Sequence, residues 1–142
     1  MMKKLFAMAT VLLALVACSG KKNNPDDPKP AKVDITGVWE LTTVTTKATV
    51  GSVNVSVYID FVSGGTFNLY QKIGDGRYTQ FTGKYTFADG KLSGSYDGGA
   101  TWGPYTAEVN GSTLTLTTAG GKEVDTYKKI SSIPTSVTDN LY

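Results

Sequence analysis

The chain has 142 residues, and its 14 basic and 12 acidic side chains give a formal net charge of +2. No basic cluster occurs among the predicted strands, so the sequence lacks the concentrated positive face that nucleic acid requires. Histidine is absent and cysteine occurs once, which excludes a Ser-His-Asp triad, an internal disulfide and a histidine- or thiolate-rich metal site. We therefore expect no metal and no cofactor.

The N-terminal segment has the pattern of an export signal. Lys3 and Lys4 precede an apolar run from Leu5 to Ala17, which is too short to span a bilayer. The run ends in Leu15-Val16-Ala17-Cys18, and this tetrad resembles the lipobox of bacterial lipoproteins. An ordinary secretory signal with a chance cysteine is the alternative interpretation.

The lipoprotein resemblance has implications for maturation and location. It implies that residues 1–17 are a signal peptide, that cleavage occurs before Cys18, and that acyl chains on Cys18 attach the protein to a membrane. The expected location is the cell envelope, at the outer membrane of a Gram-negative bacterium, on either its periplasmic or its surface side. Residues 18–32 are polar and rich in proline, which predicts a disordered tether.

Residues 33–130 predict a single all-β domain. Thr, Val, Tyr and Phe dominate, and turn residues such as Asp89-Gly90 and Asn110-Gly111 recur at short intervals. The predicted strands cover residues 37–46, 53–62, 66–73, 77–88, 91–96, 104–109, 112–118 and 122–130. Because every connection is short, consecutive strands must pair antiparallel. Such a meander can close into an up-and-down barrel or fold over into a sandwich.

Alternation of apolar and polar residues indicates which side of each strand faces the core. Val55, Val57, Ile59 and Phe61 share one face of the second predicted strand. Other strands place glycine on the inward face, at Gly83 and Gly94, where the sheet can bend or admit a bulky neighbour. One-sided strands with small inward residues favour an eight-stranded antiparallel barrel.

The first predicted strand carries a family motif. Gly37-Val38-Trp39 matches the Gly-x-Trp pattern that opens lipocalin-type barrels, and the chain resembles a bacterial lipocalin-like domain lipoprotein. The resemblance implies that Trp39 packs across the closed base of the barrel. The sequence departs from the family by offering Lys128-Lys129 where an arginine partner of the tryptophan is expected. It also departs in residues 131–142, a Ser/Thr-rich tail with no predicted helix.

Strand direction divides the connections between two ends of the barrel. If Trp39 marks the base, the turns at 63–65, 89–90 and 110–111 lie there too, and the connections at 47–52, 74–76, 97–103 and 119–121 surround the mouth. Trp102 then lies on a flexible mouth loop, where it either covers or stacks on a ligand or folds back onto the rim. The inward residues expected to line a cavity in the upper half are Val55, Leu69, Phe81, Tyr96, Tyr105 and Leu116. Side chains can also fill a barrel of this size.

The sequence argues against an enzyme. Without histidine or a free cysteine, the remaining catalytic arrangement is a carboxylate pair. The acids in the predicted domain lie before the first strand (Asp34), in glycine-rich turns (Asp75, Asp89, Asp97), or in strands where most face solvent (Glu40, Asp60, Glu108, Glu123, Asp125). We expect a membrane-attached barrel that binds a small apolar or amphipathic molecule. The alternative is an interaction module with a filled barrel, whose exterior tyrosines Tyr58, Tyr70 and Tyr78 contact a protein or a glycan.

Overall fold

A computed structural model describes residues 33–44 and 54–142, which belong to the compact unit Lys32–Tyr142. The predicted signal peptide, Cys18 and the predicted tether lie outside the described residues, as does the predicted turn at 47–52. Within the described part, no helix has both the length and the apolar character needed to cross a membrane.

The described chain consists of eight strands followed by one short helix. The strands are β1 (Gly37–Val44), β2 (Val55–Val62), β3 (Thr66–Ile73), β4 (Thr79–Ala88), β5 (Lys91–Tyr96), β6 (Thr101–Asn110), β7 (Thr113–Thr118) and β8 (Val124–Ile130). The helix α1 spans Thr135–Thr138. Each strand pairs antiparallel with the next along the chain, and β1 pairs with β8, so the sheet closes. The predicted up-and-down barrel is confirmed, and the sandwich is excluded.

The two ends of the barrel differ in the length of their connections. At the end where β1 begins, the linking segments are residues 63–65, 89–90 and 111–112. At the opposite end they are residues 45–54, 74–78, 97–100 and 119–123. Asp89 and Gly90 both have positive φ, at 52° and 74°, which is the conformation of a type I′ hairpin turn. The predicted assignment of tight turns to the base and longer loops to the mouth is therefore confirmed.

Trp39 occupies the base of the barrel, as the family motif implies. Its side chain is 0% exposed, and its Nε1 donates a hydrogen bond to the Ile35 carbonyl at 2.9 Å. The Lys129 Nζ lies 5.3 Å from the centre of the Trp39 ring, close enough for a cation–π contact. Gly37 makes this contact possible, since a Cβ at this position would lie 3.0 Å from the Lys129 Cε. A lysine thus stands where an arginine partner was expected.

Strand β6 corrects the prediction for Trp102. This residue does not lie on a flexible loop but within β6, paired with Gly94 of β5. The next pair along the ladder is Leu92 with Tyr105, so β6 has one residue more than β5 between the two pairs. This β-bulge places Trp102 and Tyr105 on the same inward face although they are three positions apart. Strict alternation from Tyr105 would have turned Trp102 outward.

The C-terminal residues also differ from the prediction. No helix was expected there, yet Thr135–Thr138 forms one helical turn whose Val137 is 0% exposed. Leu141 makes a parallel bridge to Tyr78, the Tyr78 amide donates to the Asn140 carbonyl at 2.9 Å, and the Tyr142 amide donates to the Tyr78 carbonyl at 3.1 Å. The chain end is therefore bound to the residue that precedes β4.

Candidate functional site

The barrel interior contains a cavity of about 100 Å³. Aliphatic and aromatic side chains from six strands form most of its wall. The lining residues are Ile59, Phe61, Phe67, Leu69, Tyr96, Trp102, Tyr105, Leu116, Asp125 and Tyr127. The barrel is thus neither wide open nor completely filled, and the described cavity has room for one small group.

Two inward glycines make space for the aromatic wall. A Cβ on Gly94 would lie 2.5 Å from the Trp102 Cε2, and a Cβ on Gly83 would lie 2.8 Å from the Phe67 Cε1. Real Cβ atoms do not approach other atoms so closely, so each ring occupies the volume that a side chain would take. Both glycines were predicted to face inward and to admit a bulky neighbour, and both predictions are confirmed.

Phe67 and Trp102 belong to a set of mutually packed rings. The Phe67 centroid lies 5.4 Å from that of Trp102 and 5.7 Å from that of Tyr96, in edge-to-face geometry. Trp102 and Tyr105 follow at 6.1 Å. Aromatic pairs in this geometry stabilise each other beyond the apolar area that they bury. These packed rings form the wall on this side of the cavity.

The Trp102 indole has an unusual polar group. Its Nε1 is buried, and no described residue accepts a hydrogen bond from it. A buried donor without a partner costs roughly 1–3 kcal/mol relative to a hydrogen-bonded one. This donor is therefore an unsatisfied polar group within the wall residue Trp102.

Five of the seven residues predicted to bind ligand lie together in the cavity wall. They are Leu69, Tyr96, Trp102, Tyr105 and Leu116. Val55 and Phe81 were wrongly placed in this wall. Val55 is the first residue of β2, at the mouth end, and is 41% exposed. The alternating pattern of β2 extends to this residue, but the covered interior of the barrel does not. Phe81 is 37% exposed.

Phe81 lines a separate recess of about 260 Å³. Its neighbours there include Ile73, the last residue of β3, Arg77 from the connection between β3 and β4, and the C-terminal Tyr142. The Phe81 ring still lies 5.7 Å from Tyr96, which belongs to the cavity wall. Phe81 therefore lies next to the interior site without lining it.

Asp125, like Tyr127, is a cavity residue that was not predicted from the sequence. It lies on β8, paired with Leu116 of β7 and with Val44 of β1, and it is the single charged side chain among the lining residues that the structure describes. Burial, followed by the negative charge of Glu123, raises the pKa of the Asp125 carboxyl. Asp125 and Tyr127 are two positions apart on β8, so they share one face of the strand, and Tyr127 is buried. Alternation therefore predicts an inward Asp125, whereas its charge suggests an outward position.

Three tyrosines share the surroundings of Asp125. Burial raises the pKa of Tyr105, and the Asp125 charge adds to this effect. The same two causes raise the pKa of Tyr127. Burial alone raises the pKa of Tyr96. These hydroxyls therefore stay protonated and neutral at physiological pH, so they act as hydrogen-bond partners and not as charges.

The exterior tyrosines form a different surface. Tyr58 and Tyr70 pair directly across β2 and β3, and both are half-buried. The Tyr58 hydroxyl donates to the Glu40 carboxylate at 3.1 Å, and burial together with this carboxylate raises the pKa of Tyr58 to about 12. Tyr78 was wrongly predicted to be exposed: it is 7% exposed because the C-terminal residues bind alongside it.

No group of three potential metal-ligating side chains occurs within residues 33–44 and 54–142.

The family model of the lipocalin-like domain matches residues 35–132. Neither the comparison with curated proteins nor that with solved structures found a match.

Proposed function

Because the chain belongs to the lipocalin-like domain family, we propose that its barrel binds a small apolar or amphipathic molecule in the interior cavity. The observation that supports this most directly is the cavity of about 100 Å³ itself, bounded by packed aromatic rings. Enclosed apolar surfaces of this kind bind ligands by removing apolar area from water.

The cavity volume limits what can be bound. An apolar cavity of roughly 150 Å³ is known to admit benzene, whereas drug-sized ligands need roughly 300–1,000 Å³. The described cavity is smaller than both, so it accommodates a short alkyl chain or part of one aromatic ring. A larger amphipathic molecule would insert this part and leave the remainder at the mouth, where the longer connections lie.

The proposed setting is the cell envelope, with attachment through acyl chains on Cys18. The lipobox-like tetrad Leu15-Val16-Ala17-Cys18 after a short apolar run supports this. The polar segment 18–32 would then act as a tether that keeps the barrel away from the bilayer. We propose a binding protein, not an enzyme, on either the periplasmic or the surface side of the outer membrane.

Titration of the purified full-length chain with small apolar molecules tests the binding proposal. The chain has two tryptophans, so Trp102→Phe leaves the emission of Trp39 alone. Toluene or hexanol that enters the cavity should change the tryptophan emission of the wild-type protein, and this change should saturate, because Trp102 lies in the cavity wall. The same titration of Trp102→Phe should change the emission far less. Absence of a saturable response to every apolar probe would contradict the proposal.

A second candidate function uses the exterior surface around Tyr58 and Tyr70. These side chains are direct neighbours on the outward face of β2 and β3, and Gln80 extends the polar rim through a contact of 3.4 Å with the Tyr70 hydroxyl. Binding to an immobilised glycan or envelope protein that Tyr70→Ala abolishes, without any response to apolar probes, would favour this function over the interior one.

A further inference from the structure

Asp125 places one negative charge in an otherwise apolar and aromatic cavity. Among the residues that the structure describes, no lysine or arginine lines this cavity. The charge of Glu123, which acts on the Asp125 carboxyl, is also negative. Asp125 is half-buried, and a carboxylate in such surroundings is costly because it loses part of its water while no described cationic side chain of the cavity wall replaces that water.

Given the proposed interior binding function, we infer that the cavity selects ligands that carry a protonated amine, with Asp125 as the counter-ion. The positive charge would replace the water lost by the carboxylate and form a charge-assisted hydrogen bond with it. Anionic ligands are disfavoured at the same place, since Asp125 and Glu123 would both repel them. A fatty acid carboxylate with its head at Asp125 is therefore a poor fit.

The neighbours of Asp125 suit a cation as well. Trp102 and Tyr105 lie 6.1 Å apart with their rings inclined at 35°, and both line the cavity together with Tyr96 and Tyr127. The faces of aromatic rings attract organic cations, with tryptophan the most effective. The neutral tyrosine hydroxyls add hydrogen-bond partners without adding charge.

The position of Asp125 along β8 sets the direction in which such a ligand binds. Asp125 is the second residue of β8, just after the mouth connection 119–123. Tyr127 lies two residues further along β8, toward the base of the barrel. Phe61 and Phe67, which are almost fully buried, form the wall nearer the base. An amphipathic amine would thus point its ring or alkyl group toward the base and its ammonium group toward the mouth.

Benzylamine and benzyl alcohol are matched probes for this inference. They share one ring and differ in the group that meets Asp125, and benzoate provides the opposite charge. The dissociation constants of all three are measured by calorimetry on the full-length chain, near neutral pH and at moderate salt. We expect wild type to bind benzylamine roughly tenfold or more tightly than benzyl alcohol, and benzoate most weakly. Asp125→Asn should remove the preference for the amine and retain the affinity for the alcohol.

Glu123→Gln is the matched control, because it changes the net charge equally but alters a side chain outside the cavity wall. This variant should keep most of the preference for the amine. Equal affinity of wild type for amine and alcohol, or a preference unchanged in Asp125→Asn, would overturn the inference while leaving the proposed function standing. If neither toluene nor any of the three probes binds, both the inference and the proposed function are wrong.

Discussion

Trp39 connects the base of the barrel to two parts of the chain. Its Nε1 donates to the Ile35 carbonyl before β1, and the Lys129 ammonium from β8 lies over its ring. Removing this side chain creates a cavity that a closed sheet cannot collapse to fill. We expect Trp39→Ala to lower the free energy of unfolding by about 3–5 kcal/mol, measured by chemical denaturation.

The adjacent residue provides the control for this substitution. Glu40 faces outward and accepts one hydrogen bond from Tyr58, so Glu40→Ala should cost about 1 kcal/mol or less. Equal losses for the two variants would show that Trp39 does not have the packing role assigned to it.

Gly94 is a second residue with a sharp expected effect. An added methyl group would overlap the Trp102 ring and approach the Lys84 carbonyl at 2.7 Å. Gly94→Ala should therefore destabilise the protein by about 1–3 kcal/mol and displace Trp102, which its emission spectrum would report. Gly98→Ala is the control, because nothing lies within 4 Å of its Cβ position. A loss of stability as large in Gly98→Ala would contradict this explanation.

The raised pKa of Asp125 predicts how its substitution changes stability with pH. The folded state binds the carboxyl proton more readily than the unfolded chain, whose pKa is near the ordinary value of 3.8. The contribution of the protonated carboxyl is present below that value and is lost as pH rises through the higher folded pKa. Asp125→Asn is neutral throughout, so we expect it to melt at a higher temperature than wild type at about pH 7.

This advantage of Asp125→Asn should disappear at about pH 3, where wild type is protonated in both states. Thermal unfolding of both chains across this range is the measurement. A variant that melts at or below the wild-type temperature at neutral pH would show that the carboxylate is stabilised by a contact not recognised in the cavity. A destabilising charge that persists in an interior wall is what binding sites require and cores avoid.

Among the elements, the C-terminal segment is more than an extension of the barrel. Val137 in α1 is fully buried, and the residues after it pair with Tyr78. We expect Val137→Ala to lower the free energy of unfolding by about 1–3 kcal/mol. Ser136→Ala, at an exposed position of the same turn, should have almost no effect. Indistinguishable denaturation midpoints for the two variants would mean that the segment binds too weakly to contribute.

Elements differed in how far the sequence could predict them. The alternation in β2 and the Asp89-Gly90 turn are local signals, and both are confirmed. The bulge in β6 depends on how Gly103 and Pro104 fit against β5, which alternation within one strand does not report. The α1 turn has four residues and no side-chain cap, so its sequence carries little helical signal, and its packing on the barrel sets its structure.

The candidate site was also predictable only in part. Leu69, Tyr96, Tyr105 and Leu116 follow from alternation in regular strands. Asp125 was missed because charged residues usually face water, a rule that fails at binding sites.

For the whole molecule, the proposed attachment to a membrane has the most direct test. Several acyl chains at roughly 0.8 kcal/mol per buried CH₂ make such attachment stable. We expect Cys18→Ser to move the protein from the membrane fraction to a soluble or uncleaved form, with loss of metabolic fatty-acid label. Unchanged partitioning and labelling of this variant would exclude Cys18 as the site of lipidation.

Closure of the sheet has a consequence for how the chain folds. The ladder between β1 and β8 joins Val38 to Ile130, so the first strand pairs with the last strand of the described chain. Loop-closure entropy opposes such distant pairing, and folding rates fall as contacts become less local. A chain shortened before β8 would expose the free edges of β1 and β7, which are templates for pairing with other copies. Premature termination should therefore yield aggregates, not a smaller barrel.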